Sequence, residues 1–180
     1  YYMEGYLAAS PSGLDAAVKG RAQAVTKGVP LALTLSDVSM INFCKPGLDA
    51  MLGTGVDYLF CNEEEAQVWC GVTEQALVNA ALAPLAKTVC LTRGAKGTLV
   101  LQGGQVHDVP GFPVKALDAN GAGDMFAGAF LYGLSEGMTA PQAASLANKA
   151  ASVVVAQRGN RLTTEGVRAL LSDWRALSAT

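Results

Sequence analysis

The sequence predicts an α/β fold built on a mainly parallel sheet, and three observations carry that expectation. Short apolar runs of strand length alternate with longer segments whose apolar residues recur at helical spacing. The central runs are short and mostly apolar, which is the pattern of strands covered on both faces. Gly103-Gly104 between two late runs marks a β-ribbon. Hydrophobic residues are 51% of the 180, enough to bury a core at one domain's length, and at 16% charged residues disorder is excluded.

The elements follow in order. A strand opens the chain over residues 1–7. Leu14, Ala17, Val18, Ala22 and Val25 fall on one helical face, which predicts a helix over 12–28 capped by Ser12. The run 30–35 is a buried strand, 45–52 a short helix and 56–60 another strand. Asn62 opens a helix reaching Trp69, Thr73 caps one running to about Lys87, and 88–92 is a strand. The ribbon pairs 97–101 with 105–109. The last third is helical over 121–137, 141–157 and 164–176, with Pro141 in a first turn and Gly137 past a helix end. Lys19, Arg21 and Lys27 read as a solvated helix face, and Trp69 and Trp174 as helix-packing aromatics. Met3 and Met40 suit either core or ligand, and His107 reads as a surface residue.

Composition narrows the class of function. Thirteen basic and fifteen acidic residues leave a net charge of -2, which offers no strong field to nucleic acid or to an anionic membrane. No apolar run approaches the roughly 18 residues of a membrane span. Cys44, Cys61, Cys70 and Cys90 lie 17, 9 and 20 residues apart, which fits no zinc spacing, and they read as reduced thiols of a cytoplasmic protein. The start at Tyr1, inside a strand-like run, predicts that upstream sequence is missing.

Sheets of this kind bind ligands beyond the carboxyl ends of their strands, and three clusters fall there. Asp118-Ala119-Asn120-Gly121-Ala122-Gly123-Asp124 precedes an apolar helix. Its glycines let backbone amides approach a ligand, the helix N-terminus suits a phosphoryl group, and Asp124 in the first turn can accept a hydroxyl proton. A plain cap with tight glycine packing is the alternative. Asn62-Glu63-Glu64-Glu65 follows a strand directly, and an amide oxygen with a carboxylate one turn on suits Mg²⁺. A capping box explains the same pair. Thr92-Arg93-Gly94-Ala95-Lys96-Gly97 offers a hydroxyl, a guanidinium and open backbone to a phosphate, or is an ordinary turn; it lacks the P-loop pattern. A dinucleotide fingerprint is not met, because the Gly121 segment lies late, with no strand–helix–strand unit after it.

In their order and spacing these clusters resemble the PfkB or ribokinase superfamily of sugar and nucleoside kinases. The family's D-T-x-G-A-G-D stands as residues 118–124 with Ala119 in place of Thr, its N-x-x-E as Asn62 to Glu65, and its T-x-G-x-x-G as Thr92 to Gly97. The resemblance implies a ribokinase-like three-layer α/β/α fold, with residues 1–180 as the C-terminal, nucleotide-binding part of a kinase domain whose N-terminal part and lid are missing. It implies Asp124 as catalytic base and the amides of Asn120, Gly121, Ala122 and Gly123 as anion hole. It places Thr92, Arg93, Gly94 and Gly97 against ATP phosphates and Asn148 beside adenine. It assigns Asn62 and Glu65 to Mg²⁺ and its waters, and Asp118, with carbonyls of Asn120 and of residues 155–160, to a monovalent cation such as K⁺. The implied partner is a small sugar or nucleoside, with homodimerisation through the lid in the full-length protein. Asn120, the Gly5-Tyr6-Leu7 start and the run of glutamates look adenosine-kinase-like; a ribokinase- or fructokinase-like acceptor, or a truncated nucleotide-binding fragment without turnover, is the alternative, and the 180 residues by themselves are expected to be inactive.

Overall fold

The computed structural model describes residues 1–178. These form two compact units: Tyr1–Arg93 with Leu99–His107, and Gly94–Thr98 with the residues from Asp108 onward.

In the first unit, β1 (Tyr2–Glu4), β2 (Ala32–Thr34), β3 (Val56–Asn62) and β4 (Ala86–Thr92) run parallel in sequence order. β5 (Thr98–Gln102) and β6 (Gln105–Val109) complete the order β1-β2-β3-β4-β5-β6. Register sets Met3 beside Leu33, Leu33 beside Leu59 and Leu59 beside Val89, a row of four fully buried side chains. Each such burial is worth about 1.5–3 kcal/mol. Ala32, Phe60 and Cys90, on the alternate face, are buried as well, which is why these runs carry no polar alternation. All four cysteines are free thiols, and burial pushes those of Cys61 and Cys90 well up.

The helices of this unit are α1 (Pro11–Thr26), α2 (Val38–Leu52), α3 (Glu63–Cys70) and α4 (Gln75–Leu82). Several boundaries depart from the sequence expectation. The opening strand ends at Glu4, and Leu7 lies in a 3-10 turn over Gly5–Ala9. Ser10, not Ser12, caps α1, accepting the Gly13 N–H at 3.1 Å, because Pro11 takes the first helical position. α2 begins seven residues before Lys45: Asp37 caps it by accepting the Ser39 N–H, and Cys44, two residues before Pro46, breaks its geometry. Thr73 does not cap α4, which stops at Leu82 before Pro84 and leaves Lys87 in β4. Arg21 leaves the solvated face assigned to it: its Nη2 donates to the carbonyls of Leu52 and Gly55, both at 3.2 Å, closing the end of α2. Met3 is core, and Met40 packs against it.

The second unit holds α5 (Ala122–Ser135), α6 (Ala140–Val155) and α7 (Thr164–Ser178). Gly133 of α5 lies so close to Ala143 of α6 that an added Cβ would meet Cβ of Ala143 at 3.0 Å; small residues set this approach. Phe126 and Phe130 stack along the buried side of α5 with centroids 6.2 Å apart. Among the described residues no helix is long and apolar enough to cross a membrane.

Candidate active site

At the carboxyl ends of β3 and β4, Asn62 pairs in register with Thr92. Asn62 and Glu65 form a complete capping box. The Glu65 N–H donates to Asn62 Oδ1 (2.8 Å), while Asn62 N–H and Nδ2 donate to Glu65 Oε2 (3.1 Å) and Oε1 (2.6 Å). Glu65 is only 6% exposed, and burial, followed by the charges of Asp37 and Glu64, raises its pKa against the Asn62 N–H bond. A divalent cation held through waters would relieve that repulsion, so the pair fits Mg²⁺ as well as a helix cap. Thr92 Oγ1 donates to the Cys61 carbonyl at 3.4 Å, and Arg93 is half-buried. Among the described residues no three His, Cys, Asp or Glu side chains gather as a metal cage.

The same strand edge holds a group the sequence reading missed. Ser36, just past β2, is the single non-glycine residue with positive φ (69°) among the described residues. Its Oγ accepts the Gly5 N–H (2.8 Å) and donates to Glu4 Oε2 (3.0 Å), while Tyr2 OH donates to Glu4 Oε1 (2.5 Å). Ser36-Asp37 directly after a buried apolar run is the signal that could have found it, by the strand-end rule already applied to Asn62.

In the second unit Asn120 N–H donates to Asp118 Oδ1 (3.0 Å), and Ala122 N–H to the Ala119 carbonyl (3.2 Å). Two of the four amides assigned to an anion hole therefore already have acceptors. Gly121, at φ 77°, abuts the Asn160 carbonyl so closely that a Cβ would collide with it. Leu117 N–H and Asp118 N–H both reach the Val155 carbonyl, at 2.7 and 3.3 Å, which ties the 155–160 loop to this turn. No side chain caps α5, so its first-turn amides keep the partial positive charge of a helix N-terminus. Gly123 faces open space and Asp124 is exposed at the third helical position. Asp124 also lines a cavity of about 560 Å³ with Met125, Tyr132, Arg161, Val167 and Leu171.

Gly94 and Gly97 bound a 3-10 turn over Gly94–Lys96 that is closed by Gly97 N–H on the Gly94 carbonyl (3.0 Å). Asn148, 8% exposed, directs its amide into neighbouring protein atoms: Thr98 Oγ1 donates to Oδ1 (2.7 Å), and Nδ2 donates to the carbonyls of Val109 (3.2 Å) and Pro110 (3.1 Å). Trp69 sits under Lys45, whose Nζ is 3.6 Å from the ring centroid, and His107 is half-buried outside these groups.

Comparison with known proteins gives this arrangement a lineage. The chain is 32% identical over 178 residues to the adenosine kinase of Schizophyllum commune, covering 88% of this chain and 51% of that protein. It is 36% identical over 110 residues to the ribokinase of Haemophilus influenzae, covering 58% and 36%. Its fold superposes on the adenosine kinase from Sinorhizobium meliloti with a TM-score of 0.87 at 29% identity, covering 95% of this chain and 53% of that one. The chain thus spans about half the length of the adenosine kinases it matches. The model of the pfkB family of carbohydrate kinases matches residues 1–165, which include every strand and both glycine-rich turns, and the chain belongs to that family.

Proposed function

We propose that the protein transfers the γ-phosphoryl group of ATP to a hydroxyl of a sugar or nucleoside, with an adenosine-like acceptor preferred. The observation that carries this reading is Asp124, an exposed carboxylate in the first turn of an uncapped helix beside the open backbone of Gly123. Phosphoryl transfer needs positioning and charge stabilisation more than covalent chemistry, and such a helix end offers both. Asp124 takes the proton of the acceptor hydroxyl as its oxygen bonds to the γ-phosphorus. The bridging bond to the β-phosphate breaks and its electrons leave with ADP. The first-turn amides, with Gly123 foremost, face the charge that grows on the phosphoryl oxygens.

Thr92, Arg93 and the Gly94–Gly97 turn supply hydroxyl, charge and close backbone to the phosphates. Asn62 and Glu65 would hold Mg²⁺ through its waters, and the ion when bound supplies charge neutralisation to the triphosphate. Asp118, tied through its N–H to the Val155 carbonyl, is the carboxylate assigned to a monovalent cation. The 32% identity to an adenosine kinase over most of the chain supports the nucleoside preference, and the 36% identity to a ribokinase supports a pentose as the second reading. ADP release from Mg·ATP by the full-length parent protein with adenosine, inosine, ribose and fructose tests both. Turnover with adenosine is the expected result; turnover with ribose alone selects the second reading, and none with any acceptor rejects both.

A further inference from the structure

We infer that Asn148 is a positioning residue, whose amide is spent on holding the 94–98 turn in place and donates no hydrogen bond to nucleotide. The inference rests on the reading of that turn as a phosphate loop. The orientation of the amide is fixed by chemistry: the Val109 and Pro110 carbonyls can only accept, so both Nδ2 hydrogens point at them, and Oδ1 is left to the Thr98 hydroxyl. Both donors are spent, and the side chain is buried. Thr98 is fully buried and follows Gly97 directly, so its hydroxyl fastens the downstream end of the turn to α6. On its far side the turn lies against the backbone of Gly111. A Cβ on Gly111, the residue after Pro110, would stand 2.5 Å from the Ala95 carbonyl oxygen and 2.9 Å from the Gly97 nitrogen. One amide thus joins three segments, residues 98, 109–110 and 148, around a turn whose own closure is a single hydrogen bond, Gly97 to Gly94. Removing it leaves two carbonyls and a hydroxyl without their partner, and the Thr98 hydroxyl and the Val109 carbonyl lie buried, where water restores little.

The test combines hydrogen exchange at residues 94–98 with the affinities of Mg·ATP and Mg·GTP, in wild type, Asn148→Ala, Thr98→Val and the double variant. Thr98→Val is the mild variant: it keeps the shape of the residue and removes only the hydroxyl. Each single variant is expected to speed exchange of the Gly97 amide about tenfold, and the double no more than Asn148→Ala alone, because both cut the same tie. Affinity for the two nucleotides should fall by one common factor of about tenfold, since the base is not what is lost. Gly111→Ala, which wedges the turn from its other side, should reproduce that common loss. Weakened ATP with unchanged GTP and unchanged exchange would make Asn148 a base contact and overturn the inference. Faster exchange along the whole chain with both affinities intact would overturn it in favour of a general packing role. Wild-type protein that binds neither nucleotide would reject the phosphate-loop reading, and the exchange comparison still decides whether Asn148 holds the turn.

Discussion

Gly121 and Asn160 meet backbone to backbone: there is no room for a Cβ between the first residue's α-carbon and the second's carbonyl oxygen. Gly121 also holds φ at 77°, a conformation that costs an L side chain about 1 kcal/mol or more. Both constraints act on the residue that starts α5 and so aims Asp124. Gly121→Ala should lose roughly 2–4 kcal/mol of stability, measured by denaturant unfolding. It should also lower kcat by more than any accompanying rise in KM, because the displaced helix start carries Asp124, the base proposed above.

Glu65 separates stability from activity. A glutamine there keeps one acceptor for the Asn62 N–H, gives up the bond from Asn62 Nδ2, and in exchange removes a charge that burial and Asp37 disfavour. Glu65→Gln should unfold within about 0.5 kcal/mol of wild type or above it, while the Mg²⁺ needed for half-maximal turnover rises about 10–100-fold. A Mg²⁺ titration beside a melting curve reads both. An unchanged Mg²⁺ requirement would leave Glu65 as a cap alone.

Asp57 supplies a pH dependence at the opposite end of the sheet. Burial raises its pKa, but Lys87 Nζ at 2.7 Å and the Leu31 N–H at 2.7 Å outweigh that and hold it below the ordinary carboxylate range. A carboxyl with a lowered folded value contributes stability above its unfolded pKa of about 4 and loses it as the pH falls through the folded value. Unfolding free energy should therefore drop below about pH 4 in wild type, and less steeply in Asp57→Asn. Lys87 is 81% exposed, so solvent screens its share of this contribution.

Arg21 is a further case where position decides more than residue type. Arg21→Ala removes the donor to the Leu52 and Gly55 carbonyls and should cost about 1–3 kcal/mol by thermal or urea unfolding. Lys19→Ala, which breaks an exposed pair with Asp15, should cost less than about 0.5 kcal/mol.

These cases show what the sequence makes legible. The central strands were readable because each holds a short, mostly apolar run, and the row Met3, Leu33, Leu59 and Val89 is those runs laid in register. The turns at Asn62 and Gly121 were readable as helix starts because a capping amide and a glycine punctuate the chain there. Arg21 reads as solvated from its helix face alone, since nothing local reports that the end of α2 lies within its reach. The cap moved from Ser12 to Ser10 because two serines flank Pro11, and only the proline's fixed φ chooses between them. The first half of α2 was missed because Ser36-Asp37 resembles a loop, while Asp37 is in fact its cap. Asn148's engagement was invisible because its partners lie 38 to 50 residues away.

The most direct test of the central claim is phosphoryl transfer from Mg·ATP to adenosine by the wild-type protein and by Asp124→Asn. The variant keeps the shape of the side chain and loses the proton acceptor. The account predicts that kcat falls about 10²–10⁴-fold while Mg·ATP still binds with near wild-type affinity. Undiminished kcat in Asp124→Asn would contradict it.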